Sequence, residues 1–410
     1  MGSEHEKLIS IAEAQRIVLD HVAIAPTVSM ELVPALGLTL AEDIACDIDM
    51  PPFDKAMMDG FAIRSADTAQ AGATLKVIDH IAAGGKASKS VGSGEASRIN
   101  TGAPIPEGTD AVVRIEDTKW SEDGGAIDVL IAAIKGMNVC DRANYLKSGA
   151  VVLKKGTKLG PAQIAVAAAA GAANVNVYRR PVFAVLATGN ELVDAGKKPT
   201  GAQIRNSNSP MLAALLSDDG VNVVSLGIAM DDLASLTKSI EYGLECDGLC
   251  ITGGVSMGAF DFVPDVLAQC GVQVHFHKMS SKPGKPTLFG TTEKGTCVFG
   301  LPGNPVSAMV GYWMLVRPAF AAMQGRPDEL PKFVEATLVG SQEPAGDRDS
   351  FWPARIDPDQ SGRLTACALS WHGSGDPFGM GMANGWIVKP AGSPAASDGD
   401  RVRVVLLERI

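Results

Sequence analysis

Between residues 180 and 326 the chain alternates short, wholly apolar runs with helix-forming stretches, and this alternation constrains the fold more than any other feature. Val182–Ala187 is apolar without a break, directly after Arg179-Arg180-Pro181. Such a run marks a strand covered on both faces, because a half-exposed strand would alternate apolar and polar residues. Val221–Ile228, Leu249–Thr252, Val272–His277 and Cys297–Leu301 read as further strands. Helices are expected between them. One starts at Ser209-Pro210 with the proline in its first turn, one follows Asp231/Asp232, and one lies around Phe262–Gln269. A long one runs from Asn304-Pro305 to about Met323. Strands alternating with helices predict a parallel, doubly wound α/β domain.

The flanking sequence has a different texture. Ser10-Ile11-Ala12-Glu13 fits a capping box ahead of a first helix, and residues 28–45 read as extended with a turn at Leu36-Gly37. Residues 49–62 hold two prolines and a glycine and read as an ordered loop without regular structure. From 72 to 146, short apolar runs such as Leu75–Ile78, Ala111–Ile115 and Ile127–Ile131 alternate with glycine turns, which predicts a small β-rich domain. A strand within 149–159 and an Ala-rich helix over 161–171 follow. Gly325-Arg326-Pro327 reads as a linker. Beyond it, Phe333–Val339, Trp386–Lys389 and Val402–Leu407 predict a small β domain, a barrel. A length of 410 residues suits two to four such domains.

The charge balance restricts the ligands. With 36 basic and 46 acidic residues the net charge is −10, the wrong sign for a general nucleic-acid binder. An anionic ligand must therefore be held by local positive groups against the overall field. The 7 cysteines are scattered and contain no CxxC pair, so reduced thiols of a cytoplasmic protein are expected. Cys246 and Cys250 are spaced to sit one helical turn apart, but no second ligand pair accompanies them. His275 and His277 read as structural or surface residues, not a zinc site. The polar N-terminus lacks an apolar signal core, the Ala-rich run is too short to span a bilayer, and Arg317-Pro318 interrupts the other apolar stretch. A soluble protein without membrane partners is expected.

Four loops carry the chemistry. Ile251-Thr252-Gly253-Gly254-Val255-Ser256-Met257-Gly258 joins a buried strand to a helix. Ligands of doubly wound sheets sit at such carboxyl ends, where glycines turn backbone N–H groups toward an anion, so this loop is expected to bind phosphate. It lacks the Gly-Lys-Ser/Thr ending of a Walker loop. Asp261, just beyond, is placed for a Mg²⁺ beside phosphates, and Asp232 is either a second such carboxylate or a helix cap. Ser281-Lys282-Pro283-Gly284-Lys285-Pro286 sets two lysines in a constrained turn, a fixed cationic pocket. Gly300-Leu301-Pro302-Gly303-Asn304-Pro305-Val306-Ser307 again joins a strand to a helix N-terminus and is expected to converge with the lysine loop. Thr188-Gly189-Asn190-Glu191-Leu192 ends the first strand of the domain, with Glu191 either at the ligand or in a solvated turn. In another domain, Asp59 pairs with Asn100-Thr101-Gly102. No Ser-His-Asp or Cys-His triad stands out, which leaves electrostatic chemistry, with metal and positioned charge at phosphate.

Six segments taken together, PPFDKAMMDGFA, INTGAPIPEGTDAVV, ATGNEL, ITGGVSMGAFD, KPGKP and GLPGNPVSA, resemble the molybdopterin molybdenumtransferase family, the MoeA proteins and the E domain of gephyrin. The resemblance implies four domains: an elongated first domain (1–45 and 147–178), an inserted β-rich domain (46–146), an α/β molybdopterin-binding domain (179–327) similar to the molybdopterin adenylyltransferases, and a C-terminal β-barrel (328–410). It implies a homodimer that takes molybdate and adenylylated molybdopterin, cleaves the pyrophosphate with a divalent cation such as Mg²⁺, and releases AMP and molybdenum cofactor. A molybdopterin adenylyltransferase and molybdoenzyme apoproteins are possible partners.

Carried over residue by residue, Thr252, Gly253, Gly254 and Ser256, with Asp261 for the metal, would hold the phosphates. Lys282, Lys285, Pro286, Pro302, Pro305 and Ser307 would face molybdate, completed by Arg348 and Ser374 from the last domain. Asp59 and Thr101 would approach from the partner subunit, with Glu191 and Asp232 nearby. The chain departs from the family pattern in places. The usual Asn-Val-Arg-x-x-Gly-Glu-Asp is Asn138-Val139-Cys140-Asp141-Arg142-Ala143-Asn144-Tyr145, Gly-Asp-Glu-Leu is Gly189-Asn190-Glu191-Leu192, and Tyr-Asp is Arg205-Asn206. These changes leave room for an alternative: a weakly active paralogue, or a non-catalytic dimeric scaffold on the same fold.

Overall fold

The structure, a computed structural model, describes residues 8–121, 124–255 and 262–407. The chain forms two compact units. One takes the chain up to Ser29, Gly37–Ala41 and everything from Asn176 onward; the other is Met30–Leu36 and Glu42–Val175.

The larger unit is built on a six-stranded sheet in the spatial order 222–229, 182–188, 248–252, 297–301, 288–291, 273–276. The first four strands are parallel. The apolar run of Val182–Thr188 is explained by its two covered faces. Phe183 and Val185 enter one core with the first helix and Tyr312, while Ala184 and Leu186 enter the other with Leu236, Ile240 and Val266. The sequence reading did not anticipate Leu288–Thr291, which runs antiparallel to both its neighbours. It is a four-residue strand with no helix before it, so it carries no alternation signal.

The first helix is Ile11–His21, and Ser10 caps it by accepting a hydrogen bond from Glu13 N at 3.1 Å. The helix opened by Asn304-Pro305 runs to Met323 through one π-helical turn at Tyr312–Val316. That register change lies just ahead of Pro318, which cannot donate a backbone hydrogen bond. The helix is long and apolar enough to cross a membrane, yet 89% of its most apolar window is buried within the protein. Gly325-Arg326-Pro327 is not a solvated linker: Arg326 is buried, donates to Thr39 Oγ1 at 2.9 Å, and pairs with Glu329. Beyond it, the strands 349–358, 364–368, 333–339, 401–406 and 385–389 pair in that order, and the last pairs with the first to close a five-stranded barrel.

In the smaller unit, the segment expected to lack regular structure contributes Gly60–Ile63, a strand buried along its whole length. It pairs antiparallel with both Glu95–Ile99 and Ala111–Arg114. Gly60 permits the pairing: a Cβ there would lie 1.9 Å from Val113 O. The glycine taken as a loop signal is thus a close-approach residue inside a sheet. Cys246 and Cys250 do not share a helix, since Cys250 lies in the Gly248–Thr252 strand. All seven cysteines are free thiols.

Candidate functional site

At the carboxyl ends of the parallel strands, a knot of loops forms around Gly253. This residue has φ +90°, and a Cβ there would lie 2.3 Å from Thr188 O. Gly253 N donates to Leu301 O at 3.2 Å, and a Cβ on Gly303 would lie 3.8 Å from Gly253 Cα. The ends of the 182–188, 248–252 and 297–301 strands therefore meet at one residue. Thr188 Oγ1 donates to Asp231 Oδ1 at 2.5 Å and Asn190 N donates to Asp231 Oδ2 at 3.2 Å, which ties in the strand end at Ala229. Val255, the last described residue of the glycine loop, accepts a hydrogen bond at its carbonyl from His277 Nε2 at 2.8 Å. His277 is buried and structural, and this bond places its proton on Nε2. Ser256 and Asp261 lie outside the described residues.

Asn208, at the start of the Asn208–Asp218 helix, adds a side-chain link. Its Nδ2 donates to Thr252 Oγ1 at 2.6 Å and to Gly303 O at 2.8 Å, and Thr252 Oγ1 donates to Pro302 O at 3.3 Å. The sequence reading missed this residue, because Asn206-Ser207-Asn208 before an expected helix reads as capping alone. Asn206 does cap: its Oδ1 accepts from Ser209 N at 3.1 Å.

The lysine loop meets the 300–307 loop as expected. A Cβ on Gly284 would lie 3.7 Å from Ser307 O. The turn is fixed by its carbonyls: Gly284 O accepts from Thr287 Oγ1 at 2.7 Å, and Lys285 O accepts from Met279 N and Thr287 N, each at 2.9 Å. Lys282 and Lys285 are exposed, and neither forms an ion pair with a described carboxylate. Two residues of the barrel domain reach these loops. Arg348 Nη1 donates to Ser281 O at 3.1 Å, where Ser281–Lys282 pairs in parallel with Asp349–Ser350. Ser374 Oγ accepts from Asn304 Nδ2 at 2.7 Å, and Ser374 O accepts from Val306 N at 3.1 Å. The Ser374 segment is itself braced by Asp376, whose carboxylate accepts from the backbone of His372, Phe378 and Gly379 and from His372 Nδ1. Those donors, the His372 backbone first, hold its pKa down to about 2.

The remaining residues divide. Asp232 is the N-cap of the Leu233–Gly243 helix and accepts from Ser235 N at 2.9 Å, whereas its neighbour Asp231 makes the tie to Thr188. Glu191 is exposed and its carboxylate lies over Gly189, 2.6 Å from where a Cβ would stand. In the smaller unit, Asp59 and Thr101 come together: Asp59 Oδ1 accepts from Thr101 N at 2.6 Å and Thr101 Oγ1 at 3.0 Å. The Thr101 backbone N–H, then its hydroxyl, hold the Asp59 carboxyl below its ordinary pKa. In the altered 138–145 run, Lys55 Nζ sits over the Tyr145 ring at 5.1 Å, and Arg142 pairs with Asp49 at 2.7 Å. Among the described residues no three His, Cys, Asp or Glu side chains gather as a metal site.

A mainly parallel sheet whose strand-end loops meet around Gly253 beside a lysine-bearing turn, with Arg348 and Ser374 reaching those loops from the last domain, is a doubly wound α/β protein with its loops gathered where such folds carry their sites. Three family models match in order: MoeA N-terminal region (domain I and II) over residues 9–171, probable molybdopterin binding domain over 184–322, and MoeA C-terminal region (domain IV) over 336–407. A molybdopterin molybdenumtransferase of Staphylococcus aureus (strain N315) is 36% identical over 413 residues, covering 100% of this chain and 98% of its own. That of Staphylococcus epidermidis (strain ATCC 12228 / FDA PCI 1200) is 34% identical with the same coverage. The crystal structure of the molybdopterin biosynthesis MoeA protein from Pyrococcus horikoshii OT3 superposes with a TM-score of 0.83 at 31% identity, covering 98% of this chain and 100% of its own. A molybdenum cofactor biosynthesis protein from Pyrococcus furiosus, at 20% identity and a TM-score of 0.59, shares the fold. The chain belongs to the MoeA family.

Proposed function

We propose that the protein is a molybdopterin molybdenumtransferase of molybdenum cofactor biosynthesis: it inserts molybdenum from molybdate into adenylylated molybdopterin and releases AMP. The observation that carries this reading is the meeting of two anion-handling loops on one sheet edge, with Gly253 N only 3.2 Å from Leu301 O. A phosphate ester is held at the glycine loop by backbone N–H groups. The tetrahedral oxyanion is held by Lys282 and Lys285, with Arg348 and Ser374 at the rim. Preorganised donors of this kind stabilise charge without reorganising during reaction. The altered 138–145 run gives the scaffold alternative no support of its own, because a scaffold has no use for two exposed, unpaired lysines in a braced turn.

The Mg²⁺ expectation rests on Asp261, outside the described residues, and the described carboxylates do not form a cation site by themselves. The deciding assay is AMP release from adenylylated molybdopterin with and without molybdate. Release that depends on molybdate is expected; a protein that binds the substrate but never releases AMP would point to the scaffold.

We further propose a homodimer in which the Asp59–Thr101 pair of one copy serves the lysine loop of the other. Mixing Asp59→Ala and Lys285→Ala proteins, each impaired alone, should restore up to about a quarter of wild-type activity, the share of intact sites expected from random exchange of subunits. Absence of any recovery after proven subunit exchange would rule the shared site out.

A further inference from the structure

The glycine loop and the 300–307 loop are joined directly by the Gly253 N–Leu301 O and Thr252 Oγ1–Pro302 O bonds, and are bridged by a third residue, Asn208. The side chain is 6% exposed and projects from the first turn of a helix, so its base is rigid. Gly303 O can only accept, which assigns the facing Asn208 atom as Nδ2, at 2.8 Å. Thr252 Oγ1 directs its own proton to Pro302 O and so accepts from the same Nδ2 at 2.6 Å. Both amide protons are thus committed, one to each loop. Asn208 Oδ1 is buried and has no hydrogen-bond partner among the described residues. A buried acceptor left without a donor is costly, so the side chain is held for what its Nδ2 does.

We propose that Asn208 is a positioning residue that couples the two subsites, so that an anion on one loop alters affinity at the other. The inference rests on the reading of the crevice as a phosphate-ester subsite beside an oxyanion subsite. The amide already bonds both loops, so a ligand that stiffens Thr252 or Gly303 also stiffens the amide and, through it, the opposite loop. The second ligand then meets a loop already ordered and loses less conformational freedom on binding. Two anions side by side also repel. The coupling through Asn208 must therefore exceed that repulsion to give a net gain, and the gain is lost with the amide.

The test uses the full chain with AMP and molybdate as probes in titration calorimetry. AMP should bind wild-type protein about fivefold or more tightly when molybdate is saturating, and AMP should tighten molybdate by the same factor. In Asn208→Ala the factor should fall to one or below. Thr252→Val, which leaves Asn208 in place but removes both its acceptor and the Thr252 Oγ1–Pro302 O bond, should do the same and guards against a folding defect in the first variant. Thr252→Ser keeps the hydroxyl and should keep the coupling. A merely structural role would lower the melting temperature and both single affinities while leaving the factor unchanged. A wild-type factor of one, or an unchanged factor in Asn208→Ala or Thr252→Val, overturns the proposal. Failure of wild-type protein to bind either probe overturns the two-subsite reading on which it rests.

Discussion

Lys285→Ala should raise the molybdate concentration needed for half-maximal AMP release by about one to two orders of magnitude. A charge-assisted hydrogen bond contributes about 1.5–3 kcal/mol, and each 1.4 kcal/mol is tenfold in affinity. The full effect is expected because Lys285 is exposed and no described carboxylate competes for its charge. Its backbone is also fixed by two hydrogen bonds to its carbonyl, so engaging an anion orders the side chain alone. On a chain with net charge −10, the remaining field repels a dianion and gives no substitute. Lys238, exposed on the Leu233–Gly243 helix, is the control and should change the requirement little when replaced by alanine. Initial rates across a molybdate series measure both. Equal requirements in the Lys285→Ala and wild-type proteins would place the oxyanion elsewhere.

Much of this site was legible because its parts are local in sequence. A buried strand, a glycine or proline turn and a helix start are adjacent residues, and each has its own composition signal. The same holds for the lysine turn, whose constraint comes from Pro283, Gly284 and Pro286. What local pattern cannot carry is a partner far along the chain. Asn208 reaches Thr252 and Gly303 across 44 and 95 residues, and nothing beside it in sequence distinguishes it from a cap. Asp231 and Asp232 illustrate the limit further: both read as caps, and only the fold assigns the cap to Asp232 and the tie to Thr188 to Asp231.

The barrel shows the same division. Phe333–Val339 was legible to the residue, since its apolar and exposed positions largely alternate. The longest barrel strand, Asp349–Pro358, was not, because it carries two aspartates, an arginine and two prolines. Pro353 is tolerated there because it stands opposite Trp386, one residue before the ladder with Leu364–Ala368 begins at Ala354, and on that side it only accepts, from Leu369 N. Gly60 errs in the opposite direction. Its lack of a side chain looked like a turn and instead allows a strand to lie against Val113 O.

Two glycines on facing loops should respond very unequally to the same added methyl group. Gly253→Ala should lower AMP affinity and turnover at least about 100-fold, since displacing a binding element by about 1 Å can cost that much. Gly253 has φ +90°, which an L residue rarely adopts, and the new Cβ would lie 2.3 Å from Thr188 O. A backbone carbonyl held in a sheet cannot yield as a flexible side chain can, so the glycine loop must move, and its N–H groups move with it. The stability cost should be about 1–3 kcal/mol, small enough to leave a protein of ordinary stability folded. Gly303→Ala meets only Gly253 Cα, at 3.8 Å, which is ordinary van der Waals contact, and its φ is not in the left-handed region. Its affinity for AMP should change no more than a few-fold. AMP titration of both variants, with thermal melts to establish folding, separates the two cases. Comparable losses in the two variants would mean that loop crowding in general, and not the knot at Gly253, sets the geometry of the phosphate subsite.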